Sequence, residues 1–283
     1  MPELPEVETT VRVLRPTLTG REITGLHTEW PPHVATPPLP EMVVRIKGQT
    51  ITSLDRRGKY ILLHLSGEGT LIVHLRMSGH LAVVATDHPR HKHEHTILTL
   101  APRPETPHIQ EELRFRDQRK FGRLYLVQDP VEIVGKLGPE PLDENFSAAD
   151  LQRLVAGRKR QLKPFLLDQS IVAGIGNIYA DEALFYAGLH PLRQTDTLTE
   201  EEVNRLYTAL RQVLLMGIER EGASIDLYVK PDGSRGDMQN AVVVFRRQGL
   251  PCFQCGRSIV KIRVGGRGTH YCAHCQPLPE DQP

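Results

Sequence analysis

Four cysteines near the C-terminus, in the pattern Cys252-x2-Cys255-x16-Cys272-x2-Cys275, constrain this 283-residue chain more than any other feature. Each CxxC pair presents two thiolates from one knuckle, and two knuckles at this separation supply the four sulfurs of a tetrahedral Zn²⁺ site. A pair of redox CxxC motifs has no need of a second copy at this spacing. Four thiolates close the coordination shell, so the expected single Zn²⁺ is structural and not catalytic. All four cysteines fall in one short segment, a poor arrangement for stapling a secreted domain. Between the knuckles, Gly265-Gly266-Arg267-Gly268 reads as a tight turn whose glycines tolerate positive φ, leaving Arg267 free to meet a phosphate.

The rest of the chain reads as globular. Its length predicts about two domains, and 39% hydrophobic with 24% charged residues excludes the disordered and fibrous classes. No apolar run approaches the 18 residues of a membrane span, and Met1-Pro2-Glu3 opens with neither a basic nor an apolar signal region. A cytoplasmic protein without membrane contact is expected. Net charge is only +1, but its distribution is uneven. Met238 to Pro279 contains no acid while carrying Arg246, Arg247, Arg257, Lys261, Arg263 and Arg267. Two smaller clusters precede it, Arg114 with Arg116, Arg119, Lys120 and Arg123, and Arg153 with Arg158, Lys159, Arg160 and Lys163. Concentrated cations on a nearly neutral chain predict polyanion-binding faces.

Leu4, Val7, Val11 and Leu14 recur at helical spacing behind Pro5, which suits a first turn, and Glu3, Glu6 and Glu8 lie at the positive end of that helix dipole. From about Glu22 to Val127 the pattern turns to short strands, among them Tyr60 to Leu65, Thr70 to Leu75, Leu81 to Ala85 and a hairpin over Arg114 to Val127. An antiparallel sandwich or barrel is expected there. Pro139 and Pro141 mark a stiff connection, after which the signals are helical. Ser147 with Asp150 and Thr199 with Glu202 are capping boxes, and Gly157 and Gly188 are stops. Residues 222–240 read as a long loop of the kind that often serves as a lid.

Pro2 is the other chemical signal. A penultimate proline permits removal of the initiator methionine, which exposes a secondary amine with an α-amino pKa near 8 or below, nucleophilic without a buried lysine. The competing reading of Pro2 is simply a helix-opening proline. Retention of Met1 would make the nitrogen an amide and end this chemistry.

Taken together, Met1-Pro2-Glu3-Leu4-Pro5-Glu6-Val7-Glu8-Thr9, Arg57-Gly58-Lys59-Tyr60, His74-Leu75-Arg76-Met77-Ser78-Gly79, Asp117-Gln118-Arg119-Lys120-Phe121-Gly122, Leu137 to Leu142, Gly174-Ile175-Gly176-Asn177-Ile178-Tyr179-Ala180 and the four cysteines resemble the formamidopyrimidine-DNA glycosylase family. The resemblance runs in order from Pro2 to Gln276. It implies an α+β protein: an N-terminal helix with an antiparallel β-sandwich over residues 1–133, a linker over 134–146, a helix-two-turn-helix domain with a lesion-capping loop over 147–241, and a zinc-finger β-hairpin over 242–283. It implies a monomer that binds double-stranded DNA in a cleft, excises 8-oxoguanine and formamidopyrimidines, and cuts the strand by β,δ-elimination. A glycosylase for oxidised pyrimidines and a noncatalytic damage-binding protein are the alternatives.

By the same resemblance Pro2 is the nucleophile, Glu3 the acid beside the reacting sugar, Lys59, expected on a strand, a helper in elimination, and Arg267 a phosphate clamp, since an arginine is a poor proton donor. The damaged base must leave the stack before C1′ can be attacked, so the gap has to be filled. Met77, Arg119 and Phe121 match the void-filling residues. Asn177, behind two glycines at a helix start, matches a phosphate ligand, and Lys159 and His93 match DNA-contacting residues. His91, His93 and His95 read as a solvated loop entering a strand, not as a second metal site. In the capping loop Asp237 and Met238 stand where aromatic character is expected, a departure that bears on lesion preference and not on reaction class. The near-neutral total charge predicts weaker nonspecific DNA affinity than a strongly basic homologue has.

Overall fold

The computed structural model describes residues 1–67 and 69–279. It divides into two compact units. Unit 1 comprises Met1–Lys136 and Glu221–Gly236, and unit 2 comprises Leu137–Arg220 and Asp237 onward.

Unit 1 opens with helix α1 (Leu4–Leu18), whose Leu4, Val7, Val11, Leu14 and Leu18 are all buried on one face. Among the described residues nine strands follow: β1 (Glu22–Thr28), β2 (Val34–Thr36), β3 (Gln49–Arg57), β4 (Tyr60–Leu65), β5 (Gly69–His74), β6 (Gly79–Ala85), β7 (Glu94–Leu100), β8 (Glu111–Asp117) and β9 (Arg123–Val127). Their order is β2-β9-β5-β4-β3-β1-β7-β8-β6. The β1–β3 junction rests on two residue pairs, Glu22 with Thr50 and Ile23 with Gln49. Strands on either side of that junction share one apolar core with α1 and with α2 (Leu39–Ile46), which makes the arrangement a sandwich. The expected antiparallel pattern holds at every junction but β2–β9, which is parallel, while the hairpin expected over Arg114 to Val127 does not form, because β8 pairs with β6 and β7 and β9 pairs with β5 and β2. Helix α2 was not legible in the sequence because three prolines surround its start; Pro38 is its N-cap and Pro40 sits in the first turn, where a missing N–H costs nothing. After β9 comes the single turn α3 (Val131–Val134).

In unit 2, α4 (Ala148–Val155) and α7 (Glu200–Glu219) start at the predicted capping boxes, Ser147 with Asp150 and Thr199 with Glu202. Between them lie α5 (Leu162–Leu167) and α6 (Asn177–Ala187), the latter closed by Gly188 at φ 69°. Gly217 of α7 meets the Tyr179 ring of α6 so closely that an added Cβ would sit 2.5 Å from it. The chain ends in the hairpin of β10 (Val260–Val264) and β11 (Arg267–Tyr271), joined by Gly265 and Gly266, both at positive φ.

Candidate active site and DNA-contacting elements

In unit 1 the first turn of α1 is sealed from solvent. Pro2 is buried, Glu3 is its N-cap, and both Glu3 and Glu6 are buried. The Glu6 carboxylate accepts the Glu3 N–H at 2.8 Å with one oxygen and the Ala223 N–H at 2.8 Å with the other. Tyr228 donates to the Glu6 carbonyl at 3.3 Å, and burial followed by the Glu6 charge pushes its phenol well above the ordinary value. Residues 221–236 are thereby fastened to the helix start. Gly222, at φ +83° with Glu6 Cγ 2.9 Å from its virtual Cβ, leaves no room for a side chain in that joint.

Lys59 departs from its expected place on a strand: it lies in the two-residue turn between β3 and β4, and it is buried. Arg56 ties that turn to α1, with Nε donating to Glu8 at 3.0 Å and NH1 to the Gly58 carbonyl at 3.1 Å. Burial works to raise the Glu8 pKa, but the bonds from Arg12 and Arg56 outweigh it and hold the carboxyl below the usual range. Near this turn His74 is buried, and desolvation, then the charges of Arg76 and Lys59, depress it to about 3. It is therefore neutral at pH 7, and its Nδ1 accepts the Arg76 N–H at 2.9 Å.

Met77 and Phe121 are exposed apolar side chains at 40% and 46% of their surface, on the turns after β5 and β8. The Arg119 guanidinium stands 4.9 Å over the Phe121 ring. His93 sits in the turn before β7 with its ring 5.3 Å from His91 and 6.0 Å from His95. Desolvation and then the charges of Lys92, His91, Lys120 and Arg116 lower its pKa from the ordinary value. Among the described residues no metal-ligating group of three or more includes these histidines.

Beneath the two turns lies Asp117, a residue whose role sequence reasoning did not single out. Its carboxylate, fully buried, accepts the Ser78 hydroxyl at 2.5 Å and the Gly122 N–H at 2.7 Å, and has His33 Nε2 at 3.6 Å. Desolvation alone would raise its pKa, but His33, Ser78 and Gly122 together bring it down to about 2. A carboxylate depressed from 3.8 stabilises the fold above that pH and loses the contribution as pH falls through 3.8 toward 2. The expected loss is about 2 kcal/mol. Urea unfolding followed by Trp30, the one tryptophan of the chain, should show this acid limb in the wild type. An Asp117→Asn chain should lack it, and equal slopes for the two would refute the assignment.

In unit 2, Asn177 opens α6 as predicted, and its Nδ2 donates to the Gly268 carbonyl at 2.9 Å, which brings the Arg267 hairpin to the helix start. Asn177 Oδ1 is buried with no hydrogen-bond partner among the described residues. Arg267 and Lys159 are exposed. Two cations of the predicted basic faces belong instead to the interior. Lys163 is fully buried, bonded to Asp181 at 2.5 Å and to the Asn177 carbonyl at 2.9 Å. Arg114, in unit 1, is 1% exposed and serves Glu112 and Glu94. Asp181 also accepts the His270 N–H at 2.9 Å, and Glu182 accepts the N–H groups of Val243, Val244 and Phe245 at 2.8–3.0 Å. Burial pushes the Glu182 carboxyl up to about 7 against the pull of those three donors. Two adjacent acids of α6 thus hold the segments that carry the cysteines. Asp237 and Met238, the departures in the capping loop, fasten its end: Asp237 pairs with Arg220 at 2.6 Å and Met238 is fully buried.

The four Sγ atoms of Cys252, Cys255, Cys272 and Cys275 lie within 4.8 Å of one another. Tetrahedral Zn–S bonds of about 2.3 Å require edges of roughly 3.8 Å. The observed Cys252–Cys275 separation of 3.9 Å and Cys255–Cys272 separation of 3.5 Å fit one structural Zn²⁺.

Comparison with known proteins covers nearly the whole chain. Residues 1–124 match the family model of the formamidopyrimidine-DNA glycosylase N-terminal domain, 137–229 that of its H2TH domain, and 249–278 that of the zinc finger found in FPG and IleRS. A formamidopyrimidine-DNA glycosylase of Symbiobacterium thermophilum is 43% identical over 99% of this chain and 90% of its own length. That of Moorella thermoacetica is 47% identical over 93% and 95%. The crystal structure of Lactococcus lactis Fpg with abasic-site DNA superimposes with a TM-score of 0.90 at 36% identity, covering 98% of this chain and all of the other. An L. lactis FPG mutant bound to DNA containing Fapy-dG has the same TM-score, identity and coverage.

Proposed function

The chain belongs to the formamidopyrimidine-DNA glycosylase family, and from that premise we propose how its own residues carry out base excision. It is a base-excision-repair DNA glycosylase with lyase activity at abasic sites, and DNA carrying oxidised purines is its substrate. Once Met1 is removed, the Pro2 amine attacks C1′ of the damaged nucleoside, the glycosidic bond breaks and the base leaves with a proton. The sugar ring opens as the C1′–N bond becomes an iminium. Loss of the C2′ proton then expels the 3′ phosphate, and a second elimination expels the 5′ phosphate.

Glu3 supplies the acid beside the opening sugar, its backbone N–H held by Glu6. Lys59, buried in a turn that Arg56 ties to the same helix, serves the eliminations. This shared anchoring of Pro2, Glu3 and Lys59 to α1 carries the reading. Met77, Phe121 and Arg119 fill the space vacated by the flipped nucleotide, with the guanidinium free to hydrogen-bond the unpaired base. His93, Lys159, Asn177 and Arg267 hold phosphates. Asn177 Oδ1 only accepts, and one Nδ2 hydrogen goes to the Gly268 carbonyl, which holds the Arg267 hairpin in place; the second Nδ2 hydrogen and the backbone N–H groups at the start of α6 are the donors left for a phosphate oxygen. We further propose that the enzyme works as a monomer in the cytoplasm on nucleoid DNA; no helix among the described residues is long and apolar enough to cross a membrane.

Borohydride reduction in the presence of a duplex with one 8-oxoguanine opposite cytosine tests the reading. The expected product is a covalent adduct that peptide mapping assigns to Pro2. Binding without an adduct would leave a damage-recognising clamp and overturn the enzymatic assignment.

A further inference from the structure

The two turns that carry Met77 and Phe121 are crossovers, β5 to β6 and β8 to β9, whose flanking strands do not pair with each other, and each contains a non-glycine residue in the left-handed region, Arg76 at φ 52° and Lys120 at φ 57°. Such residues persist where the surroundings over-determine them, and they cluster where a side chain must be presented in one orientation. His74 holds the first turn through the Arg76 N–H. The second is held by Asp117, which brackets Phe121 by accepting the Arg119 N–H at 3.2 Å and the Gly122 N–H at 2.7 Å.

One hydroxyl joins the two. Ser78, the residue after Met77, donates to Asp117 at 2.5 Å and accepts the Arg119 N–H at 3.0 Å. Strand pairing of Gly79 with Asp117 fixes the same register from the backbone side. Donors from both turns therefore converge on a single buried carboxylate. Only an acceptor with two equivalent oxygens satisfies them; an amide at this position would turn a donor toward one of them. His33 closes the site from behind, with Nδ1 2.8 Å from Thr96 Oγ1, its ring 4.9 Å from Phe115 and Nε2 facing Asp117.

We infer that Asp117, backed by His33 and reaching Met77 through Ser78, is a positioning residue that fixes Met77 and Phe121 relative to each other, so that both enter the duplex in one step. The inference rests on the reading that these side chains fill the vacated stack. Its consequence is kinetic: loosening the link leaves each side chain present but no longer in register, and misplacement by about 1 Å costs one to two orders of magnitude in rate.

Single-turnover stopped-flow with 2-aminopurine beside an 8-oxoguanine reads stack filling directly. Ser78→Ala and Asp117→Asn are each expected to slow that phase about tenfold, with KM for the duplex little changed, and Ser78→Thr, which keeps the hydroxyl, to restore it. Adding Ser78→Ala to Phe121→Ala should slow the reaction little further, because the register no longer matters once one partner is gone. Should Asp117→Asn fail to fold, the serine variants decide alone. Wild-type rates in Ser78→Ala, or a slowing that multiplies with Phe121→Ala, would overturn the inference while leaving the enzyme assignment standing. A wild-type protein giving neither the fluorescence phase nor a borohydride adduct would overturn both.

Discussion

Stripping the metal from the four-cysteine cluster is expected to abolish measurable binding to a lesion-bearing duplex, with Kd rising by roughly two orders of magnitude or more. The hairpin β10–β11 has five residues per strand and is marginal as an isolated two-stranded unit. Its apolar support is small, Phe185, Val244 and Ile259 packed around Cys252 and Cys272. Zinc binding in modules of this size contributes on the order of 10 kcal/mol, so chelation removes most of what holds the module. Its loss would take the Gly268 carbonyl from Asn177 and release Arg267 from its turn. Pro2 lies in the other unit, and acylation of its amine after Met1 removal should proceed as before. Fluorescence anisotropy on the chelated protein checks this, and tight binding by a metal-free sample would contradict it.

Asp181→Ala should destabilise unit 2 by about 3 to 5 kcal/mol, the cost of removing a carboxylate from opposite a buried ammonium. Lys163 and Asp181 are both fully shielded from water, and Asp181 also serves the His270 N–H, so the substitution strikes α5, α6 and β11 at once. Replacing both partners by apolar residues, Lys163→Met with Asp181→Leu, should recover much of the loss, since the charges then go together. Urea midpoints followed by circular dichroism decide it. A shift for Asp181→Ala below about 1 kcal/mol would mean that the pair is exposed in solution.

Features legible in the sequence were those written locally. Capping boxes at Ser147 and Thr199, the stop at Gly188, the glycine turn before Arg267 and the cysteine knuckles each depend on residues a few positions apart, and each stands where expected. What escaped was charge partnership across the fold. Lys163 looks like a member of a basic face because the acid that neutralises it, Asp181, is 18 residues away; of the two acids that serve Arg114, Glu94 is 20 residues away, and Glu112, two residues away on the same strand, gives no sign in the sequence that the pair is buried. His33 gives no local sign of its role, for Asp117 and Thr96 reach it only through the sheet. Lys59 was recognisable by its motif, yet its burial in a turn was not. The acids of α6 look like ordinary helix residues until the cysteine-bearing segments fold back on them.

Unit 1 is discontinuous: it lacks the Ala223 N–H that serves Glu6, and the Tyr228 hydroxyl, until residues 221–236 return to it. On a ribosome moving at about 5 to 20 residues per second, the wait between the first segment and the second is on the order of 5 to 20 seconds. During it the nascent N-terminal portion carries Pro2, the proposed nucleophile, on a helix start whose Glu6 has not yet met the Ala223 N–H. A fragment truncated before residue 221 would inherit that defect permanently. The first turn of α1 thus gains its last partners only when most of the chain has been made.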